Sequence, residues 1–256
     1  DLSTFKSEKL IVEPDISLSV SADALKESLL NTAHALAVNK TGEKTSAFFL
    51  EFTDTGIRCT ATDGYRVSVH GNEGNANCSI IIPNEAVRKI IRYLSGNVRI
   101  QKKGDSVEIA DDTTTLKVVA LSGTYFDIAK IFGDFESRLN KKATVKKADL
   151  LNATQLALAM LDSGDDSKVL TIAIENNSLI ITVKGQEGAF QQTLDADIKI
   201  PGQDSVIFYR INGQYLASAL RVLKEEDVTI HFGNERDPFI IKEEANIELL
   251  LLNVSK

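Results

Sequence analysis

"CTATDGYRVSV", residues 59–69, is the stretch on which the fold turns. Apolar residues alternate on both sides of Thr62-Asp63-Gly64, the period of half-buried strands, and the centre has the composition of a tight turn. Asp-Gly forms such turns because Gly accepts positive φ and the Asp carboxylate can bond back to its own backbone. Arg66 follows at once, on a strand that should otherwise be half buried. A tip carrying Thr, Asp, Tyr and Arg is either a centre of chemistry or part of a surface shaped to hold something.

Outward from this stretch, strands and helices alternate and then repeat. A helix is predicted over residues 22–38, with Ser21 as N-cap, Asp23 in the first turn, and Leu25, Leu29, Ala33 and Leu36 as its apolar face. "FFLEF", "TDTG" and "IRCTA" form a hairpin around Gly56. A second helix opens at Pro83 in "PNEAVRKIIRYL" and buries Val87, Ile90, Ile91 and Leu94. "VRI", "SVEIA" and "TLKVVAL" then read as strands. In the second half, "DLLNATQLALAML" (149–161) is an apolar-faced helix and "ENNSLIITVK" answers "TDTGIRCTAT". "NGQYLASALRVLK" (212–224) answers the helix after Pro83, and "DVTI" (227–230) answers "NVRI" (97–100). The separations, roughly 125 to 130 residues, far exceed the period of about 20–50 of a solenoid. Two similar α+β domains are expected, residues 1–134 and 135–256, divided where "AKIFGDFESRLNKK" interrupts the apolar periodicity.

The 256 residues are 43% hydrophobic and 25% charged, which is globular composition, and no run of about 18 apolar residues is present to span a membrane. Cys59 and Cys78 are too few for a disulfide framework, so a reduced, cytoplasmic protein is expected. A net charge of -7 excludes a broadly basic surface but not a local basic patch. The cations gather on the predicted helices: Lys26, then Arg88 and Arg92 four apart with Lys89 beside them, Lys146 and Lys147, and Arg221 and Lys224. They are either solvated helix faces or a phosphate-facing surface. No nucleotide-binding, zinc-protease or nucleophile-elbow motif occurs, and His34, His70 and His231 lie far apart. The acidic pairs Asp111-Asp112 and Asp165-Asp166 fall in expected turns and read as solvated. Asp63 has no nucleophile or base to work with, so its expected role is to cap its turn. No catalytic residue, metal or cofactor is expected.

"ATDGYRVSV" closely resembles the "ATDGHRL" signature of the bacterial DNA polymerase III beta subunit, the sliding clamp. "SGTYFDI" (122–128) is similar to that family's "DGRFPDY", "NGQYL" (212–216) keeps its N-x-x-Y-L, "DPFII" (237–241) resembles its "KPF" strand, and "LLNVSK" stands in the place of its "LPVR" tail. The resemblance covers nearly the whole chain, as the family's second and third domains. It implies a non-catalytic ring of six similar domains around double-stranded DNA, sheets outside and two helices per domain facing the duplex without reading its sequence. Lys26, Arg88, Arg92, Lys147, Arg221 and Lys224 would then be DNA-facing.

The resemblance also implies a cleft that takes peptides of the DNA polymerase and the clamp loader. Thr62, Gly64, Tyr65, Arg66 and Val67 would line it, with Asn212 and Tyr215, and with Leu252, Asn253, Val254 and Ser255 from the tail. Tyr65 stands for the usual His and Val67 for Leu; Asn253 and Ser255 replace the tail Pro and Arg. Phe126 replaces the Pro of the FPDY-type segment, and Gly133 stands near an expected cleft Pro. Self-association would close the ring: three two-domain chains, or two three-domain chains of which this is the later part. The opening "DLSTFKSEKLIVEPDISL" resembles an interdomain linker and favours the latter. The alternative is a non-ring, clamp-like interaction module that binds partner peptides alone.

Overall fold

The structure, a computed structural model, describes residues 13–38, 42–71, 74–161, 168–175, 177–185, 188–201, 206–243 and 246–254. By internal contacts the chain forms two units, Asp1–Ala61 with Gly71–Tyr125, and Thr62–His70 with Phe126–Lys256. The first half runs β1 (Ile16–Ser21), α1 (Ala22–Thr32), β2 (Ala47–Thr53), β3 (Gly56–Thr62), β4 (Arg66–His70), β5 (Ala76–Pro83), α2 (Asn84–Tyr93), β6 (Asn97–Lys103), β7 (Ser106–Ala110) and β8 (Thr115–Val119). After α3 (Ile128–Glu136) come β9 (Lys141–Lys146), α4 (Lys147–Ala159), β10 (Val169–Glu175), β11 (Ser178–Lys184), β12 (Ala189–Asp195), β13 (Asp197–Lys199), β14 (Ile207–Asn212), α5 (Gly213–Val222), β15 (Asp227–Phe232), β16 (Phe239–Glu243) and β17 (Ile247–Leu251).

In the first unit one antiparallel sheet has the order β1-β6-β7-β8 and another contains β3-β2-β5. In the second, β9-β15-β16-β17 repeats the first order and β11-β10-β14 repeats the second. Equal strand orders are what the repeated sequence pattern predicts. The second unit adds β13 on the outer edge of β9, a three-residue strand that the sequence pattern did not disclose. β4 pairs with β17, from Ile247↔His70 to Leu251↔Arg66, so the opening hairpin's second arm belongs to the second unit by its contacts.

Each unit closes one core with two helices. Leu25 and Leu29 of α1 and Val87 and Ile90 of α2 are buried with Leu50, Ile82, Ile100 and Ile109 of the strands. Leu150, Ala153 and Ala157 of α4 and Leu216, Ala219 and Leu220 of α5 do the same in the second unit. Each such Leu or Ile contributes about 1.5–3 kcal/mol by leaving water.

Two expected elements differ. The first helix ends at Thr32 and not at Val38; residues Ala33–Ala35 form a tighter turn in which Ala33 is exposed. Thr32 is buried instead, and its hydroxyl donates to the Ser28 carbonyl at 2.9 Å and lies 3.1 Å from Cys59 Sγ. Such back-bonding by Thr competes with the helix ladder and bends it. Conversely, α3 overlaps the segment read as a break in periodicity and crosses the expected 134/135 division. Its buried Ile128 and Phe132 are four apart, and Asp127 caps its start by accepting from Lys130 N at 3.0 Å. Lys130 between these residues, with Asp134 and Glu136 after them, hid a real helical face.

Candidate functional site

The Thr62–Arg66 turn is built from its own side chains. Gly64 holds φ +91, a conformation an L side chain resists, which is why the turn needs glycine there. Asp63 Oδ1 accepts from the backbone N–H of Tyr65 at 2.9 Å and of Arg66 at 3.1 Å, the capping role the sequence predicts. Thr62 Oγ1 accepts from Gly64 N at 3.1 Å and donates to the Arg66 carbonyl at 2.7 Å, fastening the two ends together.

Arg66 then turns inward. Its Nε donates to Asp63 Oδ2 at 3.0 Å, its Nη1 donates to Ser218 Oγ at 2.8 Å, and its guanidinium lies 3.9 Å from the centre of the Tyr215 ring. Ser218 passes the chain on by donating to the Tyr215 carbonyl at 2.9 Å. Burial pulls the Arg66 guanidinium down and Asp63 opposes it; burial pushes the Tyr215 phenol up, and the Asp63 carboxylate adds to that. A buried cation with a carboxylate, a hydroxyl and an aromatic face around it has most of its lost hydration replaced. The arrangement is a structural anchor for a turn. It has no nucleophile activated by a base, and Asp63 is committed to the turn, to Arg66 and to the Tyr215 side chain.

The anchor fixes what stays outside. Tyr65 is 66% exposed, and its carbonyl accepts from Leu252 N at 3.0 Å; Leu252 is 36% exposed. The two exposed side chains thus stand opposite each other where the antiparallel β4–β17 register runs on past Leu251↔Arg66. The tail beyond is tied down at both sides: Val254 N donates to the Arg210 carbonyl at 2.7 Å, Arg210 N donates to Asn253 Oδ1 at 2.9 Å, and Asn253 Nδ2 donates to the Glu235 carbonyl. Proline, the residue the resemblance expects at 253, could make neither side-chain bond.

Of the expected cleft residues, Thr62, Gly64, Tyr65, Arg66, Val67, Tyr215, Leu252, Asn253 and Val254 lie in the second unit; Tyr215 and Leu252 meet the turn, Asn253 and Val254 are tied to Arg210, and Ser255 lies outside the described residues. Two have other work. Asn212 caps α5, its Oδ1 accepting from Gln214 N at 2.9 Å and Tyr215 N at 3.1 Å. Val67 is only 5% exposed and pairs with Leu250, so it can support the surface from beneath but offers little of it. Ser218 was not foreseen: it is 152 residues from Arg66, and nothing local marks it.

The expected DNA-facing cations divide. Arg88 and Arg92 on α2, Arg221 at the end of α5 and Lys224 beyond it are exposed, and Lys26 on α1 is half-buried. Lys147 is engaged: its ammonium donates to the Leu223 carbonyl at 2.9 Å, where the open C-terminal end of α5 attracts a cation. Asp111 accepts from Thr113, Thr114 and Ser95, a turn-capping role, whereas Asp165-Asp166 lie outside the described residues. Among the described residues no group of three His, Cys, Asp or Glu side chains is placed to hold a metal, and no helix is long and apolar enough to cross a membrane.

Residues 137–254 match the family of the C-terminal domain of the DNA polymerase III beta subunit. The chain is 23% identical over 94% of its length to the beta sliding clamp of Synechococcus elongatus and 25% identical over 89% to that of Buchnera aphidicola. It spans 66% and 62% of those two proteins. Its fold is that of the DNA polymerase III subunit beta of Pseudomonas aeruginosa, with a TM-score of 0.86 at 15% identity over 98% of this chain and 69% of that one. The family match is thus confined to residues 137–254, and over most of its length the chain is similar to bacterial beta sliding clamps.

Proposed function

We propose that this chain works as a sliding clamp, or as the clamp's peptide-binding and DNA-facing part: a non-catalytic cytoplasmic factor that encircles duplex DNA and tethers a replicative polymerase. The observation that carries the reading is the anchored turn, which leaves Tyr65 and Leu252 exposed side by side over a rigid floor. A rigid apolar pair with backbone groups beside it suits an extended peptide, whose apolar side chain anchors while polar groups fix its backbone. Tyr215, half-buried against Arg66, and Val254 extend that surface. Retention on DNA would come from exposed helix cations, by loose attraction to phosphates that needs no base contact. The two topologically equal units are taken as the family's middle and C-terminal domains, and self-association would close the ring around DNA.

Calorimetry with a polymerase-derived peptide tests the cleft. Tyr65→Ala and Leu252→Ala should each weaken binding by about 1–3 kcal/mol if they are anchors. Unchanged affinity in both would remove the cleft from this surface. Peptide binding without any retention on circular duplex would instead favour the non-ring interaction module.

A further inference from the structure

We infer that duplex DNA is contacted unequally by the two units, with α2 of the first as the principal phosphate-binding element and α5 of the second nearly silent. This rests on the duplex reading above and adds to it which helix carries the contact. α2 and α5 follow equivalent strands and start after the N-caps Pro83 and Asn212. Counting from those caps, Arg88, Lys89 and Arg92 correspond to Ala217, Ser218 and Arg221.

On α2 the three bases are exposed, Glu85 is the helix's single acid, and among the described residues none of the three makes an ion pair. Arg88 and Arg92 are four apart and project together, and the Arg92 guanidinium lies 5.3 Å from the centre of the Tyr93 ring. An unpaired cationic face in an acidic chain is complementary to a polyanion.

α5 lacks this face for a physical reason. Ala217 is 2% exposed, and Ser218 Oγ accepts from Arg66 Nη1. A Lys or Arg at 218 would press a second cation on a buried guanidinium, and one at 217 would have to bury its charge where Ala217 leaves almost no exposed surface. Of the positions that carry charge on α2, one is therefore needed on α5 to seat the turn and another is buried. α4 does not compensate: Asn152, Gln155, Leu156 and Ala159 are exposed and uncharged, Asp149 is exposed and acidic, and Lys147 is engaged by the Leu223 carbonyl. α1 adds Lys26 between Asp23 and Glu27.

The test is equilibrium binding of a labelled random-sequence duplex to the 256-residue chain across a salt series. Changing Arg88, Lys89 and Arg92 together to Ala should flatten the slope of log K against log salt by about 2.7, three phosphates at about 0.9 each. Arg221→Ala should flatten it by no more than about 0.9. A gain-of-charge pair, Asn152→Lys with Gln155→Lys, should steepen it, because α4 then acquires the missing face. A larger loss from Arg221→Ala than from the α2 triple variant would overturn the unequal contact while leaving the duplex reading intact. Salt-dependent binding that none of these variants alters would overturn the assignment to helices. No salt-dependent binding by the unaltered chain would overturn both.

Discussion

α2 and α5 stand at the same point of a repeated topology, yet their outward positions do opposite things. α2 turns Arg88 and Lys89 to solvent, whereas on α5 Ala217 is buried and Ser218 bonds Arg66 of the Asp63–Arg66 turn. The backbone plan tolerates both because the buried stripes agree: Val87 and Ile90 on one, Leu216 and Ala219 on the other. The difference teaches that a duplicated fold keeps its core spacing while each copy's free helix face answers to whatever packs on it. On α5 that is a buried cation, and a buried cation excludes others.

The largest expected effect comes from removing the anchor's charge balance. Asp63→Ala leaves Arg66 buried without its carboxylate and opens two backbone donors. Urea denaturation should show a loss of about 3–5 kcal/mol. Combining it with Arg66→Met should recover part of that loss, since both buried charges are then gone. A double variant no more stable than the single would mean the turn bonds of Asp63, and not its charge, dominate.

The next test exchanges the two helix faces. Ser218→Lys places on α5 the residue that α2 carries at Lys89. It removes the acceptor for Arg66 and adds a like charge, and should cost about 2–3 kcal/mol. The reciprocal Lys89→Ser should stay within about 0.5 kcal/mol, as an exposed substitution. Equal effects from both would erase the distinction between the helices.

Much of this contrast could be read from the sequence, and the missing part has a physical explanation. The hairpin, the Asp63 cap and four of the five longer helices among the described residues announce themselves through local periodicity and turn chemistry, which operate over a few residues. The choice of Arg66 as a buried residue does not: it depends on Ser218 and Tyr215, brought in by another half of the chain. Lys147 likewise reads as a surface base until its partner, a backbone carbonyl at Leu223, is in view. Val67 alternates correctly for a half-buried strand, but the pattern cannot say that its face is covered.

That last point separates two neighbours in the candidate cleft. Val67→Ala should cost about 1–2 kcal/mol of stability, from buried methyl groups that leave a cavity. Tyr65→Ala should leave the unfolding midpoint nearly unchanged, within about 0.5 kcal/mol, because its ring is already in water. Urea midpoints for the pair decide it. The reverse order would mean Tyr65 holds the turn and Val67 does not support the floor.

The smallest effect concerns a device that both units share. After β7, Asp111 Oδ2 accepts from Ser95 N just beyond α2, at 2.9 Å; at the end of β16, Glu243 Oε1 accepts from Lys224 N just beyond α5, at 2.7 Å. Glu243 is buried, whereas Asp111 is in contact with solvent and also holds the N–H groups of Thr113 and Thr114. The Thr113 N–H, with smaller help from Ser95 and Thr114, holds the Asp111 carboxyl down from the ordinary 3.8 to about 2. A depressed carboxylate favours the fold when ionised. Its contribution is therefore fully present above the ordinary value and is lost as pH falls from about 3.8 through about 2. Carbon-detected NMR of the Asp111 carboxyl should find its midpoint near 2. A midpoint at 3.8 would show that the turn does not bond the ionised form. Asp111→Ala should also destabilise the first unit less than Glu243→Ala destabilises the second, because water can replace the solvent-contacting Asp111 acceptor more readily than the buried Glu243 acceptor.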